Sequence, residues 1–139
     1  MAEVSCLTLT PVQWQAILAH VHAERPNEAC GLLAGEGGVV RKVYPAENIL
    51  HSPVEYQMDP KRQVEIMLEI EAAGWELSGI YHSQPGGPPV PSPTDVARAY
   101  YPDSIYLILA PEDATGEWRG RAFVIEEGRV EEVPLRMAE

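Results

Sequence analysis

Residues 79–96 read GIYHSQPGGPPVPSPTDV. The segment leaves an apolar strand, reaches a histidine and crosses a loop dense in glycine and proline. It closes on Ser92-Pro93-Thr94-Asp95. The end of this stretch is a helix start: Ser92 at the N-cap, Pro93 at the first helical position and an acid at the third. The beginning, Leu77 to Tyr81, reads as a buried strand. A strand, a tight connection and a helix predict an α/β arrangement, with His82 at a strand end, where such folds carry their functional groups. Proline fixes φ, so Pro85, Pro88, Pro89 and Pro91 limit the conformations of the loop and hold His82 and Asp95 in a set relation.

The rest of the chain alternates in the same way. Thr10-Pro11 opens a helix whose buried stripe is Trp14, Ile17, Leu18 and Val21. Cys30–Ala34 and Val39–Tyr44 read as a hairpin around Gly35-Glu36-Gly37-Gly38. Residues 45–58 read as an irregular connection. Asp59-Pro60 opens a second helix, with Val64, Met67 and Leu68 as its expected inner face and an end near Gly74. The third helix is expected to run from Ser92 or Thr94 to just before Pro102. Ile105–Leu109 is the most apolar strand, and Ala122–Ile125 with Arg129–Val133 forms a last hairpin. The fold class expected is α/β: one domain over 1–139, a mixed sheet with hairpins and three helices packed on it.

Composition narrows the function. The chain has 139 residues, 45% hydrophobic and 22% charged, as in an ordinary globular domain. Its net charge of −11 argues against nucleic acid as a partner, because an acidic surface repels phosphate backbones. No membrane span or secretory leader is read, so the cytoplasm is the expected location. Cys6 and Cys30 show no metal-pair spacing and read as small buried hydrophobes. His20 and His22, two apart on a helix, do not face one another. His51 reads as a residue of the irregular connection, the one histidine in a position to substitute for a missing ligand, and Tyr100, Tyr101 and Tyr106 read mainly as packing residues.

His82 and Asp95 are plausible zinc ligands, but a catalytic zinc takes three protein donors and an open position. Position 84 would supply the third, and it holds Gln84, whose neutral amide is a poor zinc donor. Glu28, just before an apolar strand, is a carboxylate in need of a partner or a task.

In order and spacing, Glu28, His82-Ser83-Gln84-Pro85, six residues and then Ser92-Pro93-Thr94-Asp95 resemble the JAMM motif of the MPN-domain metalloproteases. Ala29-Cys30-Gly31-Leu32-Leu33, Met58-Asp59-Pro60 and Gly79-Ile80-Tyr81 match its flanks, and the similarity spans roughly residues 7–126. The resemblance is to the small prokaryotic single-domain members. It implies a cytidine-deaminase-like architecture, although the Pro-Cys-x-x-Cys pair of the zinc deaminases themselves is absent. It further implies Zn2+ held at positions 82, 84 and 95, Glu28 as general acid/base and Ser92 as oxyanion donor. A competition is expected between that role of Ser92 and its capping of the helix.

The activity implied is cleavage after the C-terminal Gly-Gly of a ubiquitin-like or sulfur-carrier protein. A homodimer is a further expectation, since members often pair. The departure from the motif is Gln84, where the family has a histidine ligand. It points either to a changed, inactive form of an active parent or to a natural variant with weak metal binding or none. The alternative function is that of the metal-free MPN scaffolds: holding a ubiquitin-like partner without cutting it.

Overall fold

The computed structural model describes residues 6–112 and 116–138. In chain order the elements are β1 (Leu7–Leu9), α1 (Pro11–Glu24), β2 (Cys30–Glu36), β3 (Val39–Ala46), α2 (Pro60–Ala72), β4 (Glu76–Ser83), α3 (Pro93–Ala97), β5 (Ile105–Pro111), β6 (Trp118–Glu126), β7 (Arg129–Val133) and β8 (Leu135–Met137). The strands form one mixed sheet in the order β7-β6-β5-β4-β2-β3-β1-β8. The β2–β3, β5–β6 and β6–β7 hairpins are antiparallel, as is the β2–β4 pair, whereas β4 and β5 run parallel. The connection between parallel strands must cross over a face. Here it carries residues 84–104, which include the proline loop and α3.

Side chains alternate across a strand, so each face of the sheet buries its own set. On one side Leu33, Tyr81, Ile105, Leu107 and Leu109 pack with Ile17 and Val21 of α1. On the other, Cys30, Leu32, Ile80, Ile108 and Ile125 pack with Ile66 and Ile70 of α2. The central strands β2, β4 and β5 are therefore apolar on both faces, and the fold is a three-layer α/β/α sandwich.

Local signals set the helix starts. The Thr10 hydroxyl accepts the Gln13 N–H while the Gln13 side chain accepts the Thr10 N–H, with Pro11 at the first helical position. Asp59 caps α2 through the Lys61 N–H.

Two expectations are corrected, and two strands are added. Ile66 and Ile70 form the inner face of α2, and Val64 and Leu68 are exposed at 59% and 61%. Val64, Ile66, Met67, Leu68 and Ile70 make a broad apolar arc opposite Glu65 and Glu69, so periodicity alone does not fix which part of that arc faces inward. The third helix ends at Ala97, one and a half turns in, and gives way to a turn. Two short strands, β1 and β8, pair in parallel at one edge, too short to carry a periodic signal.

Gly31 is a packing requirement of the β2–β4 seam. A Cβ added there would run into the Tyr81 ring and come within 2.6 Å of the Tyr44 carbonyl oxygen. Tyr81 cannot yield, because it is fully buried and its hydroxyl is tied to His20 Nδ1 at 2.7 Å. We expect Gly31→Ala to lower unfolding stability by about 1–3 kcal/mol, an overpacking cost. Gly86→Ala, with open space around it, is expected to be near neutral. Urea melts of the two variants check the pair.

Candidate active site

The site forms where β2 begins and β4 ends. Register pairs Cys30 with His82 on one face of the sheet, with Glu28 just before β2 and Gln84 just after β4. This is the face covered by α2. Ser83, pointing the other way and fully buried, stitches the strand ends together. Its hydroxyl accepts the Ala29 N–H at 2.8 Å, and its own N–H donates to the Ala29 carbonyl at 3.0 Å.

α3 brings the second half. Ser92 Oγ accepts the Asp95 N–H at 3.0 Å, and Asp95 Oδ2 accepts the Ser92 N–H at 2.8 Å. That reciprocal cap orients the Asp95 carboxylate, and the same Oδ2 stands 3.2 Å from His82 Nε2. Burial pushes the Asp95 carboxyl up, but the bond to His82, its charge and the two Ser92 hydrogen bonds outweigh this and hold the carboxyl below its ordinary range. Ser92 thus serves Asp95 through both its backbone and its side chain. Its oxygen serves the cap as an acceptor, and its single hydroxyl hydrogen faces the Asp95 carboxylate, so an oxyanion would have to draw that hydrogen away.

Glu28 is 3% exposed. Burial, and then the negative charges of Asp95 and Glu55, push its carboxyl up to about 8. Its backbone is tied on both sides to the 45–58 connection, through Glu28 N–H to the Ser52 carbonyl at 2.8 Å and Asn48 Nδ2–H to the Glu28 carbonyl at 3.0 Å.

His82, Ser92 and Asp95 line one side of a cleft of about 430 Å³. Its floor is apolar, with Leu32, Ile80 and Ile108, and its walls are aromatic, with Tyr56, Tyr101 and Tyr106. Tyr101 and Tyr106 thus line the cleft as well as pack. Glu28 and Gln84 are not among the lining residues. Arg98, after α3, pairs with Glu55 of the 45–58 connection at 3.1 Å, joining two walls of the cleft. His51 is elsewhere: it is exposed and stands 3.5 Å from Glu47, in a shallow hollow with His20 and Arg62. It does not replace a ligand of the cleft.

Two residues carry the site without a sequence signature. The buried Asn48 side chain donates to the Glu28 and Glu55 carbonyls and accepts from the Leu50 and Gln57 N–H groups. It therefore organises the whole irregular connection. Tyr56, from that connection, stacks on His82 with ring centroids 4.7 Å apart and planes at 27°. An Asn in a polar segment and a Tyr near a helix start are ordinary in sequence, and only the fold places them against the site.

The fit to zinc divides by residue. His82 Nε2 and Asp95 Oδ2 suit a shared ion, since 3.2 Å is close to the edge, roughly 3.3 Å, of a tetrahedron with bonds of about 2.0 Å. His82 Nδ1 is buried with no hydrogen-bond partner among the described residues, so none of them competes to turn the ring. Gln84 does not fit. Its amide is turned into the proline loop, donating to the Pro88 and Val90 carbonyls at 2.9 and 2.6 Å. Among the described residues no three His, Cys, Asp or Glu side chains converge on one point.

A family model described as prokaryotic homologs of the JAB domain matches residues 11–125. The desampylase of Haloferax volcanii is 38% identical over 128 residues, covering 86% of this chain and 92% of that protein. The CysO-cysteine peptidase of Mycobacterium tuberculosis is 34% identical over 126 residues, covering 89% and 86%. A solution structure of a protein from Desulfitobacterium hafniense superposes with a TM-score of 0.84 at 35% identity, covering 96% of this chain and 93% of that one. A crystal structure of a JAB1/MPN domain protein from Archaeoglobus fulgidus, at 19% identity and a TM-score of 0.55, shares the fold. Among the described residues no helix is long and apolar enough to cross a membrane.

Proposed function

Because this chain belongs to the family of prokaryotic homologs of the JAB domain, we propose that it is a zinc-dependent peptidase or isopeptidase. The bond cut follows the C-terminal Gly-Gly of a ubiquitin-like or sulfur-carrier protein. The observation that carries the reading is the convergence of His82, Asp95 and Ser92 on one cleft, with the buried carboxyl of Glu28 close enough to feel the Asp95 charge. The named activities of the relatives, desampylase and CysO-cysteine peptidase, support the substrate class.

His82 and Asp95 would hold the zinc, as a reduced pair of protein donors. When bound, the ion supplies Lewis acidity. The remaining work falls to the chain. As the general acid/base, Glu28 would take a proton from the attacking water and return it to the departing amine, its burial already favouring the protonated form in the metal-free chain. Ser92, locked as an acceptor by the Asp95 N–H, would turn its hydrogen from the Asp95 carboxylate to the developing oxyanion. Tyr56 stacks on His82 and keeps its ring from tilting. A tail of two glycines passes such a site without side-chain clash.

The test is release of a peptide or amino acid from a ubiquitin-like protein ending in Gly-Gly. Release is expected at that bond, abolished by a chelator and restored by zinc. Release indifferent to chelator defeats the metal part of the reading.

A second reading is favoured by one observation, the engagement of the Gln84 amide with the loop. With only two donors, the domain would bind the ubiquitin-like partner and leave it whole. Binding unchanged by chelator, no zinc by elemental analysis and no cleavage would select this reading.

A further inference from the structure

The loop between His82 and Asp95 has an unusual hydrogen-bonding problem. Four of its residues from 85 to 91 are prolines, so only Gly86, Gly87 and Val90 carry an N–H. The Gly87 N–H goes back to the Gln84 carbonyl at 2.7 Å, and the Val90 N–H to the Pro88 carbonyl at 2.8 Å. Carbonyls in such a segment need donors from elsewhere.

Gln84 is the donor. The Nε2 amide has two hydrogens, and both are used, on Pro88 O at 2.9 Å and Val90 O at 2.6 Å. Because both partners are carbonyls, the amide orientation is dictated by chemistry: only the nitrogen can face them. The Gln84 backbone is committed as well, its N–H donating to the Leu109 carbonyl of β5 at 2.7 Å. One residue therefore anchors the loop to the central sheet and holds its far side. Two residues after Val90 the chain reaches Ser92, whose cap fixes Asp95 beside His82.

We propose that Gln84 is a positioning residue: it braces the proline loop so that Ser92 and Asp95 stay in register with His82, and it takes no part as a metal ligand. This deepens the proposed reading of the same site. An imidazole at this position, with one ring nitrogen given to a metal, has a single N–H left and could serve only one of the two carbonyls. The chain has thus exchanged a third donor for a second loop contact.

The experiment uses the full chain, freed of metal with a chelator, and two variants. Gln84→Glu is close in shape but presents oxygen to both carbonyls, and Gln84→Leu is neutral and donates nothing. Amide exchange at Gly87 and Val90 is expected to speed up on the order of tenfold in both variants, as local opening becomes easier. Exchange along the β5–β6 ladder should stay unchanged. The 15N signal of His82 Nε2 is expected to shift in both variants, while that of the exposed His22 stays in place. A merely local loop contact would leave the His82 signal where it is, and that result overturns the positioning role. Unchanged exchange in both variants overturns the brace. If Gln84→Glu fails to fold, Gln84→Leu carries both readouts alone. Zinc uptake by the unaltered chain is measured alongside: none removes the hydrolase reading and leaves the brace to be judged on exchange and the His82 signal.

Discussion

Glu28→Gln is expected to reduce cleavage by about 10²–10⁴-fold, the usual worth of a positioned acid/base. It should also change how stability depends on pH. The second effect separates a chemical role from a structural one, because it is read without substrate. The folded-state pKa of Glu28 is raised from 4.5 to about 8 by burial, with Asp95 and Glu55 adding to it. The folded chain therefore keeps a proton that the unfolded chain releases. Stability then falls as pH climbs through the interval from roughly 4.5 to 8, where the folded state binds more protons than the unfolded one. Above that interval the ionised carboxylate costs the fold a few kcal/mol, since each unit of pKa is about 1.4 kcal/mol. Glutamine has nearly the same shape and no charge, so this slope disappears. Urea midpoints at pH 5 and pH 9 check the prediction. The variant should match the parent at pH 5 and exceed it at pH 9. Parallel pH profiles for the two proteins would mean that Glu28 is not held near neutrality, and its role as a two-way proton carrier would fall with that.

That this carboxyl mattered was visible in the sequence only as an oddity, an acid at the threshold of an apolar strand. Its environment was not, because it is built by residues distant in the chain. Asp95 arrives through the 84–104 crossover, and Glu55 through a connection ordered by the four hydrogen bonds of Asn48. The helix starts were legible because capping is local: Thr10-Pro11, Asp59-Pro60 and Ser92-Pro93 each announce a helix within four residues. The core strands were legible because a short apolar run bounded by turn residues, such as Ile105–Leu109 between Pro102-Asp103-Ser104 and Pro111, has few other uses. The buried face of α2 was not, since Val64, Ile66, Met67, Leu68 and Ile70 form an apolar arc wider than the sheet covers, and only the sheet selects among them. The motif spacing identified His82, Ser92 and Asp95 as a group, and they do converge. It gave no hint of where an amide at position 84 would turn, because the carbonyls that capture it belong to the loop conformation and not to the residue types.

Asp95→Asn is expected to separate the fold from the site. The Asp95 carboxylate has two tasks on one oxygen, accepting the Ser92 N–H at the helix start and standing 3.2 Å from His82 Nε2. Asparagine keeps a side-chain oxygen that accepts the Ser92 N–H, so the reciprocal cap should survive and the thermal midpoint should move little. The charge is lost. A neutral amide oxygen is a far weaker zinc donor than a carboxylate, and with Gln84 committed to the loop no third donor stands at this point among the described residues. Zinc affinity should therefore fall at least about 100-fold and cleavage with it, since the ion would be left to His82 alone. Asp95→Ala is the comparison: it removes the cap acceptor too, and should cost roughly a further 1 kcal/mol of stability while losing no more activity than the asparagine form. Calorimetric zinc titrations and thermal melts of the two variants give the four numbers needed. Should Asp95→Asn retain parental zinc affinity, the ion is not bound at the His82–Asp95 pair. The reading would then pass to the metal-free partner-binding domain, in which Asp95 serves only to start α3 and to orient an imidazole.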